Sequence, residues 1–160
     1  MPEPKAILES TAIQYLSFRP RFKAEVYTRL GRKAEEQNLK DSFTLINQIV
    51  ESLEKSGFLD DQKLLESYIR SHLIGKTKGT YWIRPRLLHF GLNKSEIDEA
   101  LKTHAGREIQ VEVIGKFLAK KCHGINPDLK TKARLFRALS ARGFSGQLIT
   151  EAFDRRLHGE

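Results

Sequence analysis

The sequence contains one cysteine, one methionine and one tryptophan among its 160 residues. The single thiol of Cys122 cannot form a disulfide framework, and the pair Cys122-His123 lacks the further spaced ligands of a zinc site. No apolar run approaches the roughly 18 residues that span a bilayer, and the opening MPEPKAILES has no apolar core of a signal peptide. We therefore predict no metal, no cofactor and no membrane contact, with a cytoplasmic location.

Sustained alternation of apolar and polar residues, which is typical of strands, is also missing. Apolar residues instead recur at helical spacing from Ile7 to Leu157. The pattern predicts an all-α chain of about nine short helices, interrupted at Pro20 and at residues 31–42, 56–57, 75–79, 91–93, 103–106, 124–127 and 143–145. We expect Asn126 and Pro127 to begin a helix, and Gly91 and Gly143 to end helices in left-handed conformations.

No catalytic constellation is present in the sequence. The histidines are scattered, and the adjacent Asp60 and Asp61 suit the positive end of a helix better than acid–base chemistry. Gly75-Lys76-Thr77 is similar to the end of a phosphate-binding loop, but Arg70 stands where that loop needs glycine. A connector between two helices is the better interpretation, so we predict a protein that is not an enzyme.

The chain matches itself at a shift of 52 residues, because IRPRLLHFGLNKSEIDEAL (83–101) aligns with LFRALSARGFSGQLITEAF (135–153). Seven aligned pairs carry the match: Ile83 and Leu135, Leu87 and Leu139, Gly91 and Gly143, Leu92 and Phe144, Ile97 and Ile149, Ala100 and Ala152, and Leu101 and Phe153. Val26, Leu30, Ile46 and Val50 extend the pattern forward if residues 35–42 form a long loop. Two unrelated helical hairpins are the alternative explanation.

The self-match predicts three tandem three-helix repeats, covering residues 8–56, 57–106 and 107–158 of one continuous repeat domain. A single unit of this size cannot bury its apolar face, so stacking of the units supplies the core. We expect an elongated, curved array.

Four segments taken together resemble the RecX family of bacterial RecA regulators, which are built from tandem three-helix repeats. They are YLSFRPRFKAEVYTRL (15–30), SGFLDDQKLLESYIRS (56–71), KGTYWIRPRLLHFGL (78–92) and the hairpin at 135–153. The chain departs from the family pattern at Phe22, where a serine is usual, at Leu64-Leu65, where Phe-Ala is usual, and at Pro85 within an expected helix.

The net charge of +8 favours a polyanion or an acidic protein surface as the partner. Lysine and arginine exceed aspartate and glutamate by one in residues 1–56, by two in 57–106 and by five in 107–160. On a helix beginning at Pro127, Lys130, Arg134 and Arg137 would share one face, nearly opposite Leu135 and Leu139. That face is either a binding stripe or an ordinary solvated surface.

A second basic cluster surrounds Trp82 and Tyr81, and such interleaving suits phosphate contact and base stacking. The alternative is that the two rings, Trp82 more than Tyr81, pack into the repeat. The candidate contact residues are Arg70, Lys76, Lys78, Tyr81, Arg84, Arg86, Lys130, Arg134, Arg137 and Arg142.

The resemblance implies a monomeric regulator that binds the RecA filament on single-stranded DNA and suppresses its ATPase and strand exchange. The alternative is a helical module that binds DNA directly, through single strands or a helix-turn-helix. The acidic NKSEIDEAL (93–101) is a poor recognition helix, which disfavours the helix-turn-helix form.

Overall fold

The computed structural model describes residues 2–159, which form nine α-helices and one π-helical segment, with no strand among them. In chain order these are α1 (Pro4–Phe18), α2 (Lys23–Glu36), α3 (Ser42–Lys55), α4 (Asp61–Arg70), the π segment (Ser71–Gly75), α5 (Thr80–His89), α6 (Lys94–His104), α7 (Arg107–Cys122), α8 (Leu129–Ala141) and α9 (Gly146–Leu157). The all-α prediction is confirmed.

The described residues divide into two compact units. Unit 1 comprises residues 2–64 with Phe90–Leu92, and unit 2 comprises residues 65–89 with 93–159. Three α-helices lie mostly within each predicted repeat, but the repeat boundaries themselves stay a prediction.

Unit 1 is a three-helix core in which α1, α2 and α3 contact one another. The buried apolar residues that cluster in this core are Leu8, Ala12, Val26, Leu30, Ala34, Ile46, Ile49, Val50 and Leu59. Helix α2 continues through Gly31 to Glu36, so the expected break at Gly31 is wrong and the connector is confined to residues 37–41. A glycine inside a helix costs about 1 kcal/mol, which burial of Leu30 and Ala34 on the core face offsets.

The beginning of α2 shows how unit 1 accommodates Phe22. A phenylalanine has no oxygen to cap a helix, and here its side chain is buried and packs at 5.4 Å from the Phe90 ring. The Asp61 carboxylate instead accepts the Lys23 N–H at 2.9 Å, while Asp60 accepts the N–H of Lys63 at 3.1 Å. The expectation that these two acids bond to backbone N–H groups at helix starts is therefore confirmed. Asp61, however, begins α4 and bonds to the first residue of α2.

Unit 2 holds the remaining helices, in which α7 packs on α9, α8 on α9 and α5 on α6. Its buried apolar residues are Leu65, Ile69, Leu73, Ile83, Leu87, Ile97, Leu101, Ala105, Val111, Val113, Ile114, Leu118, Leu135, Leu139, Phe144, Ile149, Ala152 and Phe153. Ion pairs join the exposed edges of α7 and α9: Arg155 bonds Glu108 at 2.9 Å and Glu151 at 2.8 Å, and Arg107 bonds Glu151 at 2.6 Å.

The residues paired by the 52-residue self-match have similar environments. Leu87 and Leu139 are both fully buried, as are Ile97 and Ile149. Gly91 and Gly143 both have left-handed backbones, with φ of +84° and +94°. Two of the seven pairs differ in burial: Ala100 is half-buried where Ala152 is buried, and Gly91 is exposed where Gly143 is buried. The aligned faces are therefore the buried faces.

Two predictions of local helix geometry need correction. Helix α8 begins at Leu129 with Asp128 as its N-cap, not at Pro127 with Asn126, because the Asp128 carboxylate accepts the Thr131 N–H at 2.7 Å. Pro85 left two possibilities for α5, a late start or a distorted first turn; the helix instead begins at Thr80, and Pro85 is its sixth residue. Proline cannot donate to the carbonyl four residues back, here that of Tyr81, whose exposed position lets water take the donor's place.

Candidate interaction site

The connector after the π segment is bonded tightly to the end of α8. The N–H of Gly79 donates to the Arg142 carbonyl at 2.8 Å, and the N–H of Tyr81 donates to the Gly143 carbonyl at 3.0 Å. The N–H of Lys78 donates to the His72 carbonyl at 2.9 Å. These donors are occupied by protein carbonyls, and the connector lies between helices, so it does not cradle a phosphate. The interpretation as a connector is confirmed.

The two glycines at this junction allow a very close backbone approach. A Cβ on Gly79 would lie 2.3 Å from the Gly143 carbonyl oxygen, and one on Gly143 would lie 2.6 Å from the Trp82 Cβ. Real Cβ atoms do not approach other heavy atoms this closely, so glycine is required at both positions. The sequence predicted that Gly143 ends a helix, but it did not predict that Gly143 must also allow this close backbone approach.

Arg142 holds the connector in a conformation that its sequence disfavours. Thr77 has φ of +53°, a left-handed value that costs a β-branched residue about 1–2 kcal/mol. The Arg142 Nη1 donates to the carbonyls of Lys76 at 3.1 Å and Thr77 at 3.4 Å, and its guanidinium carbon lies 5.1 Å from the Phe117 ring centroid. The guanidinium of Arg142 is thus already bonded within unit 2.

Trp82 lies in a column of stacked rings. The His72 imidazole stacks on the indole with a centroid distance of 5.3 Å, and the Tyr68 ring stacks on His72 at 4.0 Å. The Arg86 guanidinium carbon lies 3.5 Å from the centre of the indole, and the Lys78 Nζ lies 5.0 Å from it. Trp82 is half-buried, whereas Tyr81 is 69% exposed.

Two cations of the predicted cluster already have acidic partners. Arg84 forms two hydrogen bonds to Asp98, at 2.7 and 3.3 Å, and this pairing lowers the pKa of the Asp98 carboxyl below its ordinary value. Arg70 pairs with Glu66 at 3.3 Å on the same helix. Both arginines are therefore partly neutralised.

Lys76, Lys78 and Arg86 form no ion pair with any carboxylate in residues 2–159. With the exposed Tyr81 and the half-buried Trp82 they form the aromatic–cationic patch, the name used below for these five residues. Sequence reasoning missed His72 and Tyr68 as supports of this patch. Their i, i+4 spacing could have indicated that they share one helix face. The π-helical turn that brings His72 onto Trp82 could not be predicted from the sequence.

The other predicted basic residues lie on α8. Lys130, Arg134 and Arg137 are exposed, while Leu135 and Leu139 are buried, so the predicted separation of faces exists although the helix begins two residues late. None of the three forms an ion pair within the described part of the chain. Arg134 lies near enough to Asp128 to contribute to the lowered pKa of that carboxyl, after the dominant effect of the Thr131 hydrogen bonds.

Residues 2–159 show neither a metal site nor a membrane-spanning helix. No group of three or more potential ligand side chains could hold a metal ion there, and none of the helices in that range is long and apolar enough to cross a membrane. Cys122 is half-buried rather than buried as its type suggested, because it lies in the last turn of α7 beside the exposed His123.

Known proteins resemble the chain in sequence and in fold. Regulatory protein RecX of Streptococcus thermophilus is 32% identical over 147 residues, covering 92% of this chain and 54% of the relative. Regulatory protein RecX of Halalkalibacterium halodurans is 31% identical over 144 residues, covering 89% of this chain and 52% of the relative. A crystal structure of regulatory protein RecX superposes with a TM-score of 0.67 at 26% identity, covering 94% of this chain and 72% of that one.

The chain is similar to RecX proteins over most of its own length. The structure of RecX from Lactobacillus salivarius shares the fold, with a TM-score of 0.73, 22% identity and 96% of each chain covered. No protein-family model matches the chain. The chain spans about half the length of the curated RecX relatives it matches, and those relatives are named as regulatory proteins.

Proposed function

We propose that this RecX-like chain regulates a RecA-type recombinase by binding its filament on single-stranded DNA and lowering its ATPase and strand-exchange activity. Similarity to proteins named for regulation carries the proposal. Unpaired cations on α5 and α8 support it, because both the protein and the DNA of such a filament offer negative charge. A non-catalytic role, action as a monomer and a cytoplasmic location are further parts of the proposal.

Direct binding to DNA is the competing function, supported by the same cations. The helix-turn-helix form of it is weakened by α6, where Asp98 is bonded to Arg84 and Glu96 and Glu99 are exposed. The first two turns of α6 thus carry these three carboxylates against the single Lys94, and such a charge would repel phosphates.

The test compares affinity for single-stranded DNA with affinity for the same DNA coated by recombinase and nucleotide. We expect tighter binding to the coated form, and a loss of DNA-dependent recombinase ATPase at substoichiometric amounts of this protein. Equal or tighter binding to bare DNA, with ATPase unaltered when DNA is in excess, would leave the DNA-binding module as the function.

Charge reversals show whether the basic surfaces are responsible. Arg134→Glu with Arg137→Glu, or Lys76→Glu with Lys78→Glu and Arg86→Glu, should weaken inhibition while helical content and melting stay unchanged, since these side chains lie off the apolar faces. The matched control reverses Lys94 and Lys102, which are exposed on α6 of the same unit. Inhibition should survive in the control.

A further inference from the structure

The Arg86 side chain is held in place before any partner arrives. Its guanidinium carbon lies over the Trp82 ring, 3.5 Å from the ring centroid, and its Nη1 donates to the Trp82 carbonyl at 2.9 Å. A guanidinium carries five N–H donors, so several remain for an external oxyanion. Because the Arg86 side chain is already ordered by these contacts, binding a partner through it costs less side-chain entropy than binding through a mobile arginine.

The Trp82 ring is poorly placed to stack on a nucleic-acid base. It already contacts the His72 imidazole, in a stacked arrangement, and the Arg86 guanidinium. Single-strand binding proteins gain affinity by stacking bases on uncovered aromatic faces. A base would have to displace one of the two existing partners of Trp82.

The exposed residues that precede Arg86 in the chain have the composition of a protein–protein hot spot. Tyr81 is 69% exposed, and its backbone is fixed by the bond to the Gly143 carbonyl. Ile74, in the π segment that precedes the patch, is 57% exposed. Tyrosine, tryptophan and arginine dominate such hot spots, where apolar contact surrounds a few charged anchors.

We propose that the aromatic–cationic patch docks an acidic surface of a partner protein, with a carboxylate bound by the Arg86 guanidinium and flanked by Lys76 and Lys78. The planar guanidinium fork matches a carboxylate in bidentate geometry. Charge complementarity selects the occupant, because these three cations are left unpaired while neighbouring Arg70 and Arg84 are paired. The inference rests on the proposed function for its biological partner, the recombinase protein rather than the DNA.

The test uses the one tryptophan of the sequence as a reporter, since Trp82 lies at the centre of the patch. Emission of the intact protein is followed during titration with a short oligoglutamate peptide and, separately, with an oligothymidylate of equal charge. We expect saturable binding of the peptide, weakened about tenfold or more by Arg86→Gln and by Arg86→Lys, since lysine keeps the charge but lacks the fork. Lys102→Gln removes one exposed positive charge from the same unit and should leave the affinity unchanged.

Each other outcome overturns the inference. Equal losses in Arg86→Gln and Lys102→Gln would mean unspecific attraction, and full retention in Arg86→Lys would mean a point charge rather than a fork. Tighter binding of oligothymidylate through Arg86 would assign the patch to nucleic-acid phosphates. Circular dichroism and melting confirm that the variants fold. These assays contain no recombinase, so their result is separate from the ATPase test of the proposed function.

Discussion

Leu139 and Leu129 lie on the same helix in opposite environments, the first fully buried and the second 86% exposed. Leu139→Ala should lower the free energy of unfolding by about 2–5 kcal/mol, because the substitution removes buried methyl groups and leaves a cavity. Leu129→Ala should change it by less than about 0.5 kcal/mol. Urea denaturation measures both. Similar values for the two variants would show that the α8 faces are misassigned.

Thr77 illustrates a residue whose backbone conformation conflicts with its type. Thr77→Gly should raise the free energy of unfolding by about 1 kcal/mol, because glycine adopts a φ of +53° without steric cost. As a control, Thr28→Gly within α2 should lower it by about 1 kcal/mol. Destabilisation by Thr77→Gly would mean that contacts of the threonine side chain outweigh its backbone strain.

At the scale of elements, the junction of the connector with the end of α8 depends on the absence of a side chain. Gly79→Ala should destabilise by about 1–3 kcal/mol or more, because its Cβ would meet the Gly143 carbonyl and force the backbones apart. Gly115→Ala on α7 meets nothing within 4 Å and should stabilise by about 0.5–1 kcal/mol. Thermal melting of both variants measures this difference. A shift of both melting temperatures in the same direction would contradict the prediction.

The ionic link between α7 and α9 gives a pH-dependent contribution to stability. Hydrogen bonds and charge attraction from Arg155 hold the pKa of Glu108 below its ordinary 4.5. Because this carboxyl has a lower pKa in the folded state than in the unfolded state, its charge stabilises the folded protein at pH values above the unfolded pKa. That stabilisation is lost as the pH falls through the folded pKa.

Glu108→Gln should therefore lower the melting temperature at neutral pH and match the parent protein once the pH is well below 4.5. Glu112→Gln, in an exposed pair with Lys116, serves as the control and should change little at either pH. A Glu108→Gln deficit that persists unchanged in acid would mean that the loss is one of packing and not of charge.

At the scale of the whole molecule, the net charge of +8 should govern how fast the protein meets its partner. We expect the association rate with the recombinase filament to fall as salt rises, while the dissociation rate changes little, because long-range attraction is screened and close contacts are not. Stopped-flow or surface-based kinetics at several salt concentrations measure this. A steep loss of equilibrium affinity, with a slope near that of several released counterions, would indicate DNA phosphates as the contact.

The helical class, the buried faces and the resemblance to RecX proteins could all be predicted from the sequence alone. Helical spacing of apolar residues follows from burial against a core, and the 52-residue self-match identified equivalent buried positions such as Leu87 and Leu139 correctly. Gly91 and Gly143 were readable as left-handed helix ends, since glycine adopts that conformation without steric cost. These features are local or periodic, and the sequence encodes them directly.

Which charges remain available to a partner could not be predicted without the folded structure. Arg84 and Arg86 look alike in sequence, but Asp98, fourteen residues away, pairs with Arg84, while Arg86 turns onto Trp82. Arg142 seemed a contact residue, yet it bonds carbonyls more than sixty residues back in the chain. Such pairings join residues that only folding brings within hydrogen-bond distance, and a charge is open to a partner only when no nearer group has already bound it.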